Sequence, residues 1–303
     1  MGAIEYKENE INEHMNILIT GATGNVGMSI IKHLTAINGN FKVSAGVRNI
    51  EEAEEKLQDL HVSLVNFDFE DVQTFKPSLQ GIDLLFLLRP PQLADVDKYF
   101  KPLLEEVKRC NIKQIVFLSV QGVEKSKMIP HHKIEKLITD RTITYTFLRP
   151  AYFMQNFTTM LRSDLVTRHR IYLPAGRAKF TLIDIDDIGL VAAKVLTEPH
   201  KHLNKSYELT NNETLTFYEM ADKLSIGLGR KIEFISPNLF QFFFSKRKEG
   251  FSTAFIYVMI MLHYFPRFQN TPKTTGWVKT IIGQEPKSFD DFVFTNYLLP
   301  PHQ

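Results

Sequence analysis

The 303-residue sequence predicts an α/β fold, a doubly wound parallel sheet with a smaller mixed lobe at its C-terminal end. Three observations carry that prediction. Short apolar runs alternate with amphipathic stretches between residues 15 and 150, a glycine turn joins the first run to the first amphipathic stretch, and the alternation fades after residue 151.

Each element can be justified in order. Residues 16–20, Asn-Ile-Leu-Ile-Thr, form an apolar strand, and after the turn Val26, Ile30, Ile31 and Leu34 recur at helical spacing. Strand 41–47 leads to a helix from Glu51, strand 62–67 to a short helix after Asp71, and strand 84–88 to a helix over 95–110. Strand 114–119, a helix through 134–138 and strand 144–148 complete the sheet. Strands separated by helices pair in parallel through right-handed crossovers.

Beyond Ala151 the pattern is irregular. Tyr152, Phe153, Met154 and Phe157 cluster near Asn156, 171–176 reads as a strand and turn, and 180–189 as a strand feeding a helix. Asp184, Asp186 and Asp187 are expected to cap that helix, with a metal site as the sharper alternative. A strand at 206–210, a helix from Phe217, residues 231–235 and aromatic helices make up the rest of the lobe.

The turn over residues 21–27, Gly-Ala-Thr-Gly-Asn-Val-Gly, has a use for each glycine. Gly21 permits the tight strand-to-helix turn, Gly24 lets the backbone approach phosphates, and Gly27 lets the helix pack on the strand. The open amides and positive dipole end of the helix, with Thr23, Asn25 and Val26 in the same turn, then face a dinucleotide pyrophosphate. Where an NAD enzyme ends its second strand with an acidic residue, this chain has Val47-Arg48-Asn49. The Arg48 guanidinium suits a 2′-phosphate, so NADP (NADPH) is expected ahead of NAD.

In doubly wound sheets the ligand lies outside the carboxyl ends of the strands. That rule nominates Asp68 and Phe69, Arg89-Pro90-Pro91, Ser119-Val120-Gln121 and Arg149-Pro150. Plainer roles stand beside these: Asp68 as a turn cap, Pro90-Pro91 as a strand stop, Arg149 in an ion pair. The expected division is a flexible extension over 1–14, an NAD(P)-binding domain over 15–150, and over 151–303 a region that completes the sheet and forms a substrate lobe above the cofactor cleft.

Composition narrows the function. The net charge is +2, and Lys246-Arg247-Lys248, read as a solvated helix end, is too short for a nucleic-acid footprint. The lone Cys110 allows neither an internal disulfide nor a cysteine metal site, so no metal is expected and a reducing cytoplasm is. The first ten residues are charged rather than signal-like, and Tyr6 stands where a myristoylation signal needs Ser or Thr. The apolar run 254–265 is too short to span a bilayer. It reads as a buried helix or pocket lid, with membrane-surface attachment or a homodimer contact as alternatives.

Four blocks of the chain resemble the NmrA-like atypical short-chain dehydrogenases/reductases: residues 21–27, Val47-Arg48-Asn49, residues 131–136, and residues 144–156. The tail, Gly283 followed by Pro286, Phe289 and Phe292, is similar to the close of that family. The resemblance implies a Rossmann fold that prefers NADP, with a small substrate lobe. Its members include NADPH-dependent quinone oxidoreductases, triphenylmethane and azo-dye reductases, isoflavone-reductase-like enzymes, and transcription co-regulators that sense the nicotinamide pool. The Tyr-x-x-x-Lys pair of typical superfamily members is replaced here: the tyrosine position falls on His131 and the lysine position on Glu135, beside Lys136.

His131 fits the His-x-x-x-Glu-Lys pattern of the quinone oxidoreductase branch, which implies His131 and Lys136 as catalytic groups. An imidazole with an ordinary pKa of about 6.5 would donate the proton that follows hydride transfer. Ser119, Pro150, Tyr152 and Phe153 are the further expected neighbours of the cofactor, and Phe240 to Phe244 with Tyr257 the expected pocket wall for a quinonoid or aromatic substrate. The expected function is hydride transfer from NAD(P)H to such an acceptor. The alternative is a non-catalytic NADP(H) sensor that binds a protein partner, which the missing tyrosine-lysine pair favours.

Overall fold

The computed structural model describes residues 14–60 and 62–298. Apart from His14, the expected N-terminal extension lies outside the described residues. The first part of the chain runs β1 (Met15–Thr20), α1 (Asn25–Thr35), β2 (Phe41–Val47), α2 (Ile50–Leu57), β3 (Ser63–Asn66), α3 (Phe75–Leu79), β4 (Leu84–Leu88), α4 (Val96–Arg109), β5 (Gln114–Leu118), α5 (Pro130–Asp140) and β6 (Tyr145–Pro150). With the later strand Lys205–Leu209 they form a seven-stranded sheet in the order Lys205–Leu209, β6, β5, β4, β1, β2, β3. The pairs among β1 to β6 are all parallel. The doubly wound fold read from the alternation is therefore the observed one.

From β1 the chain steps outward to β2 and β3, then returns past β1 to β4 and continues the other way. The point of reversal lies between β1 and β4, where Thr20, fully buried, donates to the Phe86 carbonyl at 3.0 Å and accepts from the Leu88 amide at 2.9 Å. A parallel sheet covered on both faces needs apolar side chains on both. Leu84 to Leu87 of β4 and Ile115 to Leu118 of β5 satisfy this, all of them buried.

The contacts divide the chain into two compact units. One holds the described residues up to Arg149 together with Ile188–Tyr207; the other holds Pro150–Asp187 and the described residues from Glu208 onward. The second unit contains a mixed sheet in the order Thr214–Thr216, Lys179–Ile183, Tyr152–Phe153, and a parallel pair of Arg170–Tyr172 with Glu233–Ile235. Its core is aromatic, with Phe157, Phe217, Phe242, Phe289 and Phe292 all buried. Helix Phe217–Gly227 starts on a capping box between Thr216 and Glu219, and helix Leu239–Lys248 on one between Asn238 and Gln241. Asp184 Oδ1 accepts from the Asp186 amide at 2.7 Å at the start of helix Ile185–Thr197, the capping geometry expected of that acidic trio.

Two expectations are corrected here. Lys246 is not a solvated helix end: it is 2% exposed and its ammonium pairs with Asp164 at 2.7 Å and Glu249 at 2.8 Å. Burying an ammonium without such partners is prohibitive, so the two carboxylates explain its position. Only Arg247 and Lys248 of the trio are exposed. Nor is helix Thr253–Tyr264 buried: Ile256, Met259 and His263 face inward, while Tyr257, Val258, Met261 and Leu262 are exposed. No helix among the described residues is long and apolar enough to cross a membrane.

Candidate functional site

The turn between β1 and α1 is shaped by its glycines. Gly21 has φ +66°, and a Cβ on Gly27 would collide with the Gly21 carbonyl and lie 2.7 Å from Ala22 Cα. Only glycine meets both demands. A Cβ on Gly24 would meet the Gly21 oxygen at 3.3 Å. Helix α1 has no side-chain cap and no acidic residue in its first turn, so its own residues leave its positive end unneutralised. Asn25 is exposed and Thr23 half-buried beside it, whereas Val26 is buried and anchors the helix.

At the end of β2, Arg48 is exposed and makes no ion pair among the described residues, while Asn49 caps α2 by accepting from the Glu52 amide at 3.3 Å. After β3 the plainer role of Asp68 is realised: its Oδ1 accepts from the Glu70 amide at 3.0 Å. Phe69 is buried, with its ring 4.9 Å from Phe67 and 5.3 Å from Phe100, so its side chain belongs to the core.

Arg89, after β4, clamps its own loop, Nη1 donating to the carbonyls of Pro90 at 3.0 Å, Pro91 at 3.0 Å and Leu93 at 3.1 Å. Its Nε lies 3.5 Å from His131 Nε2, a long contact in which only the guanidinium can donate. Nε2 is therefore the bare nitrogen and Nδ1 carries the hydrogen. Burial, with the Arg89 charge second, lowers the His131 pKa to about 3. This corrects the expectation of an imidazole titrating near 6.5: at neutral pH His131 is uncharged and offers an N–H without an ionisable proton.

Helix geometry separates the other members of the motif. Glu135, four residues after His131 and so on the same face, is buried and holds Arg149 in a fork, with Arg149 Nε at 3.0 Å and Nη2 at 2.7 Å. Arg149 also pairs with Glu124 at 3.1 Å, which uses its charge within the scaffold. Lys136 is turned to the exposed face and pairs with Asp140 at 2.7 Å, so it does not accompany His131.

Ser119 follows β5 directly. Its amide donates to the Leu148 carbonyl at 2.7 Å, but its hydroxyl, in a residue 2% exposed, has no hydrogen-bond partner among the described residues. Among the described residues the other buried side-chain atom in that state, Gln114 Oε1, lies at the opposite end of the same strand. Buried hydroxyls are nearly always paired, and an orphan marks a position a ligand can satisfy.

In the second unit Pro150 is buried, and Tyr152 and Phe153 are half-buried in the short strand that pairs with Lys179–Ile183. The Tyr152 ring packs 5.7 Å from Phe180, 5.9 Å from Phe217 and 5.6 Å from His263. Its hydroxyl lies 3.1 Å from His263 Nε2, while His263 Nδ1 donates to the Met259 carbonyl at 2.6 Å. Burial pushes the Tyr152 phenol up and the His263 imidazole down to about 4, so both are neutral. Sequence reasoning passed over His263. Its signal was available, as the one ionisable nitrogen base in an apolar helix. Phe240, Phe244 and Tyr257, expected in a pocket wall, are exposed, and only Phe242 of that run is fully buried.

The sequence pattern of the NmrA-like family matches residues 13–275. The chain belongs to that family. Among relatives, it is 30% identical to prestalk A differentiation protein A of Dictyostelium discoideum over 92% of this chain and 91% of that protein. It is 28% identical to an NAD(P)H azoreductase of Xenophilus azovorans, over 74% and 78%. The triphenylmethane reductase of Citrobacter sp., solved with NADP(H), superposes with a TM-score of 0.80 at 24% identity, covering 93% of this chain and 99% of that one. NmrA-like proteins thus include oxidoreductases, and the fold of this chain is that of a known nicotinamide-binding reductase.

Proposed function

We propose that this protein is an NADPH-dependent reductase acting on a small flat acceptor, a quinone or dye. The observation that carries the reading is the buried Ser119 hydroxyl left without a partner at the carboxyl end of β5, in a sheet whose first turn presents an uncapped helix end. Gly21, Thr23, Gly24, Asn25, Val26 and Gly27 fit the pyrophosphate, Arg48 the 2′-phosphate, and Ser119 a polar group of the nicotinamide end. When bound, NADPH supplies the hydride. Arg89 acts as a positioning residue that fixes the His131 tautomer, and His131 gives a hydrogen bond from Nδ1 to the oxygen that gains charge. A quinone takes up the hydride and one proton, and because the imidazole is neutral that proton comes from water; a cationic dye is neutralised by the hydride alone.

The test is NADPH oxidation by the purified chain against a panel of quinones and dyes, with NADH and His131→Asn alongside. Saturable turnover that prefers NADPH supports the reading. Tight NADPH binding with no turnover on any acceptor replaces it with the sensor reading, which the displacement of Lys136 and kinship with a differentiation protein favour.

The partner we infer for the exposed helix Thr253–Tyr264 is a second copy of the chain. Phe243 joins Phe244 at 5.6 Å and Tyr257 at 5.9 Å, so exposed Phe240, Phe244, Tyr257 and Met261 share one apolar face. Val258, Leu262, Phe265 and Phe268 are exposed in the same stretch of chain, and monomers seldom leave so many large apolar side chains bare.

A further inference from the structure

A cavity of about 500 Å³ opens in the second unit, with Arg177, Lys179 and Arg267 in its wall and no carboxylate among its lining residues. Convergent like charges repel, and elsewhere this protein offsets them with acids: Lys246 has Asp164 and Glu249, Lys223 has Glu213 and Asp290, Lys287 has Asp186. Among the described residues none of the three cavity cations is ion-paired, the Glu219 carboxylate standing near Lys179 without contact while it caps its own helix with Thr216.

What holds the two guanidiniums in place is aromatic and backbone packing. Arg177 lies over the Tyr218 ring at 5.8 Å and Arg267 over the Tyr264 ring at 5.1 Å. Arg267 also rests against Gly176, which has φ +54° and where any Cβ would stand 2.7 Å from Arg267 Nε. The glycine thus turns the chain and admits the arginine. A guanidinium stacked by its face keeps its in-plane N–H donors directed outward, the arrangement that grips an oxyanion through two bonds. Gln269 and Thr271 add neutral polar groups to the same wall.

We propose that this cavity binds the oxyanion group, phosphate or carboxylate, of a small soluble molecule. Its size suits a compound of ordinary metabolite dimensions. None of its residues belongs to the nicotinamide site proposed above, so the two readings stand or fall separately.

The test uses the full chain labelled with ¹⁵N, titrated with inorganic phosphate and with citrate at constant ionic strength. Saturable shifts at Gly176, Arg177, Lys179 and Gln269 are expected, and the stronger probe identifies the anion class. Arg177→Gln and Arg267→Gln should each weaken binding about tenfold or more, the loss of one charge-assisted pair. Lys231→Gln and Lys248→Gln, exposed sites with the same charge change, should leave it unaltered. Shifts confined to residues 21–27, equal weakening by the control variants, or attachment only to anionic phospholipid vesicles would overturn the proposal. Thermal melts of each variant separate lost binding from lost folding.

Discussion

Tyr152 and His263 are 111 residues apart in the chain, yet the phenol donates to His263 Nε2 across 3.1 Å. The direction is decided at the far side of the ring, where Nδ1 is committed to the Met259 carbonyl and Nε2 is left bare. The pair sits among Phe157, Phe180 and Phe217 and ties the first strand of the mixed sheet to helix Thr253–Tyr264.

Removing one partner of a buried hydrogen bond leaves the other unsatisfied. Tyr152→Phe should therefore cost about 1–3 kcal/mol of stability. Tyr152→Phe combined with His263→Leu should cost less than the sum of the two single changes, because neither member of the pair is then left facing an absent partner. Urea unfolding of the four proteins in this cycle reads the coupling directly; strict additivity would mean that the contact contributes nothing.

Stability should fall on acidification. His131 and His263 stay neutral in the folded chain down to about pH 3 and about pH 4, whereas unfolded imidazoles protonate near 6.5. Below 6.5 the unfolded chain binds protons that the folded chain refuses, so acid favours unfolding. Asp187 has the opposite sign. Burial raises its carboxyl to about 6, so between the unfolded value and 6 the folded chain keeps a proton that the unfolded chain releases. Among these three groups, two imidazoles against one carboxyl leave about one proton net, roughly 1.4 kcal/mol per pH unit lost between pH 6 and 4, and His202, also lowered by burial, adds in the same direction. Asp187→Asn should steepen that slope and His131→Asn should flatten it in urea melts taken across the range.

Lys246→Met should be among the most damaging changes away from the site. It leaves Asp164, itself 4% exposed, without its closest cation, although Arg168 at 3.0 Å and Arg170 at 3.1 Å remain. Breaking such a pair costs about 3–5 kcal/mol. Lys248→Met, two residues on and exposed, should change the midpoint of chemical unfolding hardly at all.

Arg48→Gln separates the two nicotinamide cofactors. Loss of one bidentate phosphate contact should weaken NADPH about tenfold or more and leave NADH nearly unchanged, as measured by fluorescence titration. Equal weakening of both would detach Arg48 from the 2′-phosphate, and no effect on either would place it outside the cofactor site.

Tyr257→Glu with Met261→Glu puts two charges on the apolar face of helix Thr253–Tyr264 without touching inward-facing Ile256 or Met259. Sedimentation velocity should show the wild-type chain as a dimer and the double variant as a monomer with an unaltered thermal melt. A wild-type monomer at every concentration would refute the dimer.

Much of the fold was legible in the chain because it is written locally. The run into the glycine turn, the helical spacing after it, the alternation as far as β6 and the missing acid at Arg48 each depend on residues within a few positions of one another, and periodicity or backbone freedom specifies them. What needed the tertiary structure depends on distant neighbours. Lys246 in its basic trio looks like its exposed neighbours until Asp164 and Glu249 are placed against it. His131 reads as a titrating acid until burial and Arg89 make it neutral, and Lys136, expected to act with it, turns to the exposed face to pair with Asp140. The apolar run at 254–265 reads as core because composition cannot say how many of its faces are covered. Charge state, ion pairing and burial are properties of the surroundings, and in a sheet whose strands pair out of sequence order those surroundings come from residues dozens of positions away.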